Sequence, residues 1–333
     1  MKISVALCTY NGAAYLQEQL DSIAAQTRPP DELVACDDAS SDETRLILER
    51  FSASAAFDVQ LFFNYKNIGL LKNFEQAIGK CSGEIIALSD QDDVWQPEKL
   101  SRFEHIFLDD PDTGLVFSNA IVTDEQLKST GWKLWDMTFK RRDRKRFAEG
   151  KTLEVLLEYN VVTGAAMAFR SRFRDAVLPF AVLTDFIHDG WISLVIATRA
   201  KLRFIDEPLI KYRQHSHQQL GAGLSKWEMA IKERHGAYIE NRLLALKRLD
   251  EIEQIFRGRN LLSGTDLSPD RLHVLIADRK NHIAGLIEHY KTRAALPDMR
   301  ISRIPTVLSE IVNGRYHKFS QGFGSAAMDL FSK

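Results

Sequence analysis

Apolar positions in the first hundred residues follow two alternating rhythms. Short β-rich runs at Ile3 to Leu7, Leu33-Val34-Ala35-Cys36, Val59-Gln60-Leu61-Phe62-Phe63 and Ile85-Ile86-Ala87-Leu88 read as buried strands. Between them the spacing turns helical. Leu16, Leu20, Ile23 and Ala24 fall at i, i+4, i+7 and i+8 and predict a helix that Pro29-Pro30 stops. Ser40 with Glu43 three residues later is a capping-box pattern that opens a second helix. Phe74, Ala77 and Ile78 suit a third, after the turn Asn67-Ile68-Gly69. Strands alternating with helices predict an α/β fold, a mostly parallel sheet with helices on both faces. Right-handed crossovers then bring the C-terminal ends of the strands to one edge.

Further along, Gly114-Leu115-Val116 running into Phe117-Ser118-Asn119-Ala120, and Leu202-Arg203-Phe204-Ile205, predict two more strands. The segment Asn160 to Phe169 is apolar and rich in small residues. It reads either as a tightly packed core strand or as a place where Gly164 lets a ligand approach the backbone. From Lys226 the pattern becomes helical, with Ile231, Ile239, Leu243, Leu246 and Leu249 in near-helical register. Ser268-Pro269 reads as N-cap and first residue of another helix, and Pro297 and Pro305 break the tail. This predicts a division into residues 1–222 and a helical region, 223–333.

The polar residues that end the strands carry the chemistry. Thr9-Tyr10-Asn11, Asp37-Asp38 and Asp90-Gln91-Asp92-Asp93 each follow a predicted strand and share its C-terminal edge, where ligands of open α/β sheets sit. Asp90 and Asp92 alternate with Gln91, so both carboxylates can leave extended backbone on one side. Such a pair is relieved by a cation, and hard oxygen ligands favour Mg²⁺ or Mn²⁺ with a diphosphate supplying further oxygens. Neither GxGxxG nor GxxxxGK[ST] occurs, so phosphates fall to a metal rather than to a backbone cradle. The bland alternative is a solvated acidic turn before a helix starting near Pro97.

Composition narrows the partners. A formal net charge of −1 gives no global sign of nucleic-acid binding. Three scattered cysteines make neither a disulfide frame nor a zinc site, and Cys8 and Cys36 read as buried thiols of a reducing compartment. The first apolar run is too short for a signal peptide, and no run of about 18 apolar residues occurs to span a membrane. The expectation is a cytoplasmic protein, with peripheral contact at the inner face of the cytoplasmic membrane as its closest approach to lipid. The basic run Lys140 to Arg146 reads as a solvated loop or as a contact for phosphates.

Three motifs in order, Ser4-Val5-Ala6-Leu7-Cys8-Thr9-Tyr10-Asn11-Gly12, Cys36-Asp37-Asp38-Ala39-Ser40-Ser41-Asp42 and Ser89-Asp90-Gln91-Asp92-Asp93, resemble the family 2 inverting glycosyltransferases of the GT-A fold over residues 1–220. The resemblance implies a nucleotide-binding part at 1–100 and an acceptor and catalytic part at 101–222. It implies that Asp38 binds the pyrimidine base, that Thr9, Tyr10 and Asn11 pack around it, and that Lys72 replaces an arginine near the nucleotide. Asp90 and Gln91 lie toward the ribose, and Asp92 is the metal ligand of the DxD motif, with His215 completing metal or diphosphate binding. His188-Asp189-Gly190-Trp191 is similar to the (E/H)-D-x-W motif, with histidine where many members carry glutamate, which makes Asp189 the general base. From the sequence alone Asp189 reads as an N-cap, and the base assignment comes from the resemblance. Asp185 and His217 are weaker members of the same set.

Tyr212-Arg213-Gln214-His215 and Asn73-Phe74-Glu75 add a resemblance to the rhamnosyltransferase-like subgroup. That implies dTDP-L-rhamnose, or else a UDP-sugar, as donor and a lipid-linked O-antigen or other surface glycan as acceptor. Trp95, Trp191 and Trp132 or Trp135 are expected either as sugar-stacking walls or as core. Two other classes stay open. A sugar nucleotidyltransferase would carry a Gly-rich N-terminal loop, and a non-catalytic nucleotide-sugar-binding scaffold would bind without turnover.

Overall fold

The computed structural model describes residues 1–184, 186–216, 218, 231–320 and 322–331, with side chains of the fourth segment from residue 236. Asp185 and His217 lie outside the described residues. Two compact units form: Met1–Ala222 with Arg259–Leu267, and Gly223–Gly258 with Ser268–Lys333.

In the first unit the elements are β1 (Ile3–Thr9), α1 (Leu16–Ala24), β2 (Glu32–Asp37), α2 (Thr44–Ser54), β3 (Asp58–Phe63), α3 (Leu70–Lys80), β4 (Ile85–Ser89), β5 (Val94–Trp95), α4 (Lys99–Asp109), β6 (Thr113–Thr123), β7 (Ser129–Lys133), α5 (Trp135–Thr138), α6 (Arg141–Ala148), α7 (Thr152–Glu158), β8 (Met167–Arg170), α8 (Arg174–Val177), α9 (His188–Ala197) and β9 (Lys201–Arg213). The sheet runs β3-β2-β1-β4-β8-β6-β9-β5, with β7 on β6. Through β3, β2, β1 and β4 it is parallel, and β1, β2 and β4 are buried along their whole length. Continuous apolar runs in a sheet covered on both faces have this cause.

Beyond β4 the sheet is mixed. β8 is antiparallel to both β4 and β6, and β9 is parallel to β6. Reversal of β8 alone has a functional consequence. It sets the start of β8, with Gly164 just before it, beside the C-terminal end of β4, while β9 delivers its own C-terminal end to the same edge. The aspartate turn, Gly164 and His215 therefore meet through topology, although they are far apart in sequence.

Several local expectations change. Glu43, not Ser40, precedes α2, and the capping box does not form. Ser40 instead donates from Oγ to Asp37 Oδ1 at 2.5 Å and accepts from the Asn11 N–H. The basic run is a helix, α6, rather than a loop, and much of its charge is answered locally: Arg146 pairs with Asp143 and Glu158, and Arg144 with Asp206. Trp95, Trp135 and Trp191 are buried and cannot stack on a sugar. Trp135 joins Phe117, Phe139, Phe147 and Phe204 in an aromatic core, and Trp191 donates from Nε1 to the Val177 carbonyl at 2.8 Å. All three cysteines are free and buried.

The second unit contains α10 (Ile231–Gly258), α11 (Pro269–Ala294), α12 (Arg300–Val312), α13 (Arg315–Phe319) and α14 (Phe323–Phe331). Ser268 caps α11 as expected, accepting from the Arg271 N–H. Pro305 lies inside α12 rather than ending it. Val307, Tyr316 and Ala326 form a small core. Beside it runs a buried ionic network: Arg293 donates twice to Asp329, Tyr316 donates to Asp329, and His289 meets Glu310. Among the described residues no helix is long and apolar enough to cross a membrane.

Candidate active site

A cavity of about 350 Å³ opens at the C-terminal edge of β1, β2 and β4. Its rim is fixed by side chains that sequence reasoning assigned to ligand. Thr9 donates from Oγ1 to Asp37 Oδ1 at 2.8 Å across the β1–β2 register. Gln91 grips the main chain of Tyr10 twice, accepting from its N–H at 2.8 Å and donating to its carbonyl at 3.0 Å. Gly12 has no room for a Cβ, which would lie 2.1 Å from Gln91 Oε1. Asn11, at a left-handed φ of 48°, accepts from the Ser41 N–H at 2.9 Å. The Thr9, Gln91 and Asn11 side chains thus tie the loops after β1, β2 and β4 together, with Tyr10 and Asn11 both exposed.

Asp38 is buried on the cavity wall. Its Oδ1 accepts from the Ile68 N–H at 2.8 Å and the Asn64 amide at 2.9 Å, and its Oδ2 from the Gly69 N–H at 2.8 Å. It organises the loop before α3 as well as facing the cavity. Asn73, next in sequence to Lys72, lines the cavity and donates to the Cys36 carbonyl at 2.8 Å. Lys72 does not line it. On the outer side of α3 its ammonium pairs with Glu75 at 2.7 Å, because the helical period turns residue 72 to solvent when 73 and 74 face the sheet.

The aspartate turn divides its work. Asp92 Oδ2 lies 2.9 Å from His215 Nε2, joining the ends of β4 and β9. Asp90 lines the cavity, and its carboxyl is pushed up to about 7, first by burial and then by the Asp92 and Asp189 charges. Asp93 points inward. It is fully buried, its Oδ1 accepts from the Arg213 N–H at 3.1 Å and its Oδ2 has no partner. Burial also drives its pKa well up. Arg213 fastens the turn by donating from Nε to the Asp92 carbonyl at 2.7 Å. Lys99 supports it from below. Its buried amine, whose pKa burial pushes well down, sits 3.5 Å over the Trp95 ring and donates to the Ala165 carbonyl at 2.5 Å. Sequence reasoning missed Lys99, although its place four residues before Phe103 and eight before Phe107 puts it on the buried stripe of α4.

Asp189, in the first turn of α9, lines the same cavity. The residue before the helix is Ile187, so Asp189 is not its N-cap. Its Oδ1 accepts from the Gly190 N–H at 2.6 Å and the Asn160 amide at 2.9 Å, and its Oδ2 from the Gly164 N–H at 3.1 Å. Burial pushes the carboxyl up to about 6, against the pull of those three donors. His188 is 2% exposed, stacks on Phe74 at 4.1 Å and lines the cavity. Neither ring nitrogen has a partner, and burial lowers its pKa to about 3, so it is a neutral imidazole. Asn160 was the other omission. It is the one amide in an otherwise apolar segment, which is the signal that marks it.

The donor set fits a divalent cation. Asp92 and His215 offer one hard oxygen and one imidazole nitrogen, with the raised Asp90 beside them. Among the described residues no three His, Cys, Asp or Glu side chains are arranged to hold a metal ion by themselves, so the remaining ligands would have to come from a diphosphate and water.

Comparisons with known proteins give the family and the fold. Residues 4–175 match the model of glycosyl transferase family 2. An uncharacterised glycosyltransferase of Nostoc sp. is 28% identical over 273 residues, 78% of this chain and 80% of that one. The dTDP-rhamnosyl transferase RfbG of Shigella flexneri is 25% identical over 233 residues, 66% of this chain and 75% of that one. Among solved structures, the mannosyltransferase PcManGT of Pyrobaculum calidifontis, in complex with GDP-Man and Mn²⁺, superposes with a TM-score of 0.52 at 17% identity, covering 99% of this chain and 81% of that one. That likeness concerns the fold.

Proposed function

The chain belongs to glycosyl transferase family 2, and we propose that it transfers a sugar from a nucleotide-sugar donor to a hydroxyl of a glycan or lipid-linked acceptor, with inversion at the anomeric carbon. The observation that carries this reading is one cavity lined by Asp90 and Asp92 of the turn after β4 and by Asp189 of α9, near enough for the Asp189 charge to act on Asp90. Carboxylates from two distant parts of the chain in one cavity suit a one-step displacement, in which one set attends the leaving group and the other the nucleophile.

In this reading Asp38 and the Tyr10 loop bind the base. Asp92 and His215 hold Mg²⁺ or Mn²⁺, and the ion, when bound, neutralises charge on the departing nucleoside diphosphate. Asp189 takes the proton of the acceptor hydroxyl as its oxygen attacks. A carboxyl near 6 is ionised at neutral pH yet basic enough to accept that proton. Asn160 and the Gly164 N–H hold it in place for the acceptor, and the buried walls limit hydrolysis of the donor. The first unit supplies both halves of the site, nucleotide-binding at 1–100 and acceptor-binding at 101–222, and 223–333 is an accessory helical region.

For the donor we infer dTDP-L-rhamnose, with a UDP-sugar as the next choice, and for the acceptor a surface glycan such as a lipid-linked O-antigen. The similarity to RfbG supports this choice, and the Mn²⁺ complex of PcManGT supports a divalent ion. The site of action we propose is the cytoplasm, at the inner face of the membrane.

The test is a screen of dTDP- and UDP-sugars with Mg²⁺ or Mn²⁺ over a set of glycan and lipid-linked acceptors, reading release of nucleoside diphosphate. Turnover with a dTDP-sugar is expected. Donor binding with no turnover on any acceptor would instead make the protein a nucleotide-sugar-binding scaffold.

A further inference from the structure

Helices α12 and α14 present the wrong faces to water. Ile301, Ile304, Leu308 and Val312 recur at i, i+3, i+7 and i+11 on α12, within an arc of roughly 80°, and all four are exposed, Ile301 at 77% and Val312 at 84%. The opposite side of the helix is buried and carries Glu310 in ionic contact with His289 and Arg315. On α14 the same inversion recurs. Phe323, Met328 and Phe331 are exposed, and Asp329 and Ser325 are buried. Of the eighteen exposed large apolar side chains in the described chain, eight fall between Met299 and Phe331, about a tenth of its length. That concentration marks a surface built for something other than water.

The charges say what. Between Met299 and Phe331 the only carboxylates are Glu310 and Asp329, and both are turned inward into ion pairs. The exposed charges in this stretch are cationic, with Arg300 and Lys318 exposed and Arg315 half-buried, beside neutral Ser302, Ser309 and Asn313. A second copy of the chain would set this cationic rim against itself if the contact were two-fold. An anionic lipid surface meets both features, headgroups answering the cations and acyl chains the apolar arc. At 13 and 9 residues, α12 and α14 are too short to cross a bilayer.

We propose that the α12–α14 surface docks on an anionic membrane, with its helices lying in the plane of the headgroups. The assignment rests on this surface alone and needs no donor, acceptor or turnover.

The full-length protein is incubated with vesicles of phosphatidylcholine, or of phosphatidylcholine with on the order of one third phosphatidylglycerol, and the bound fraction is measured by co-sedimentation. Binding is expected with the anionic vesicles, weakening as salt is raised. Leu308→Glu with Val312→Glu should cut the partition coefficient about tenfold or more, and Phe331→Glu on the other helix should also lower it. Circular dichroism and thermal unfolding unchanged from the parent would show both variants folded. Failure of the parent to bind anionic vesicles would overturn the proposal, as would undiminished binding by the folded variants. So would a parent dimer in light scattering that the variants convert to monomer without any vesicle binding, since the face would then belong to a second copy.

Discussion

The main-chain N–H of Gly164 donates to Oδ2 of Asp189 at 3.1 Å, across 25 residues of sequence. A Cβ on Gly164 would lie 2.7 Å from His188 Nε2, so the backbone reaches the carboxylate only because the residue has no side chain. Asp189 is thereby held by two main-chain donors and one amide, in the first turn of α9 and in the cavity that the aspartate turn also lines.

Replacing Asp189 with Asn should leave nucleotide affinity near the parent's and reduce transfer by about a hundredfold to ten-thousandfold. Calorimetry with the nucleoside diphosphate, alongside steady-state transfer, separates the two effects. Normal turnover would remove Asp189 from the role of base.

The Asp189 carboxyl titrates near 6 and must be ionised to accept a proton. Protonation below that value removes the base, so kcat/KM should climb as pH rises through about 6 and level off above it. The Asn160 amide stabilises the ionised form. Asn160→Ala should therefore move this acid limb to higher pH, and a pH–rate profile in which the limb stayed fixed would count against the assignment.

Gly164→Ala forces a methyl against His188. Because packed interiors resist added atoms, the expected cost is about 1–3 kcal/mol of stability. Transfer should fall as the Asp189 donor shifts. Thermal unfolding and kcat report the two effects, and an alanine variant with parental values for both would show that the contact relaxes freely.

Asp92→Ala should abolish metal-dependent donor binding, and His215→Ala should weaken it. Since the two side chains meet at 2.9 Å, their effects should be non-additive by about 0.5–3 kcal/mol in a double-mutant cycle. Titration of Mn²⁺ in the presence of nucleoside diphosphate measures it. Parental metal and donor binding by Asp92→Ala would refute the metal-ligand reading.

Far from the cavity, Glu32 supplies an acid-stability signal. Burial would raise its pKa, but hydrogen bonds from Ser4 and Ser82 and the Lys2 ammonium hold it down at about 2. A carboxyl depressed on folding stabilises above its unfolded value, near 4.5, and loses that contribution as pH falls toward 2. Glu32→Gln should lower the melting temperature at neutral pH and flatten its decline between those values.

The elements that make the site's floor were legible residue by residue. Ile3 to Leu7 and Ile85 to Leu88 read as buried strands from their apolar runs, and the polar turns after them from simple adjacency. The Asp92–His215 pair was legible less directly. Asp92 stood out beside Asp90, but His215 came only from resemblance, since nothing local marks a histidine 123 positions away as its neighbour. Gln91, Thr9 and Asn11 also tie neighbouring loops together, which the sequence did not show, because a polar side chain at a strand end serves whichever donor or acceptor the adjacent loop brings.

By itself, the sequence determined the alternation of strands and helices, the shared edge and the acidic character of the turn that crowns it, because period and burial are local properties of the chain. Only the tertiary structure decided which carboxylates face the cavity. Asp93 is turned inward onto Arg213, Lys99 lies beneath the turn, and a reversed β8 places Gly164 against Asp189. These depend on contacts between distant strands, and the same residues in a different strand order would have met different partners.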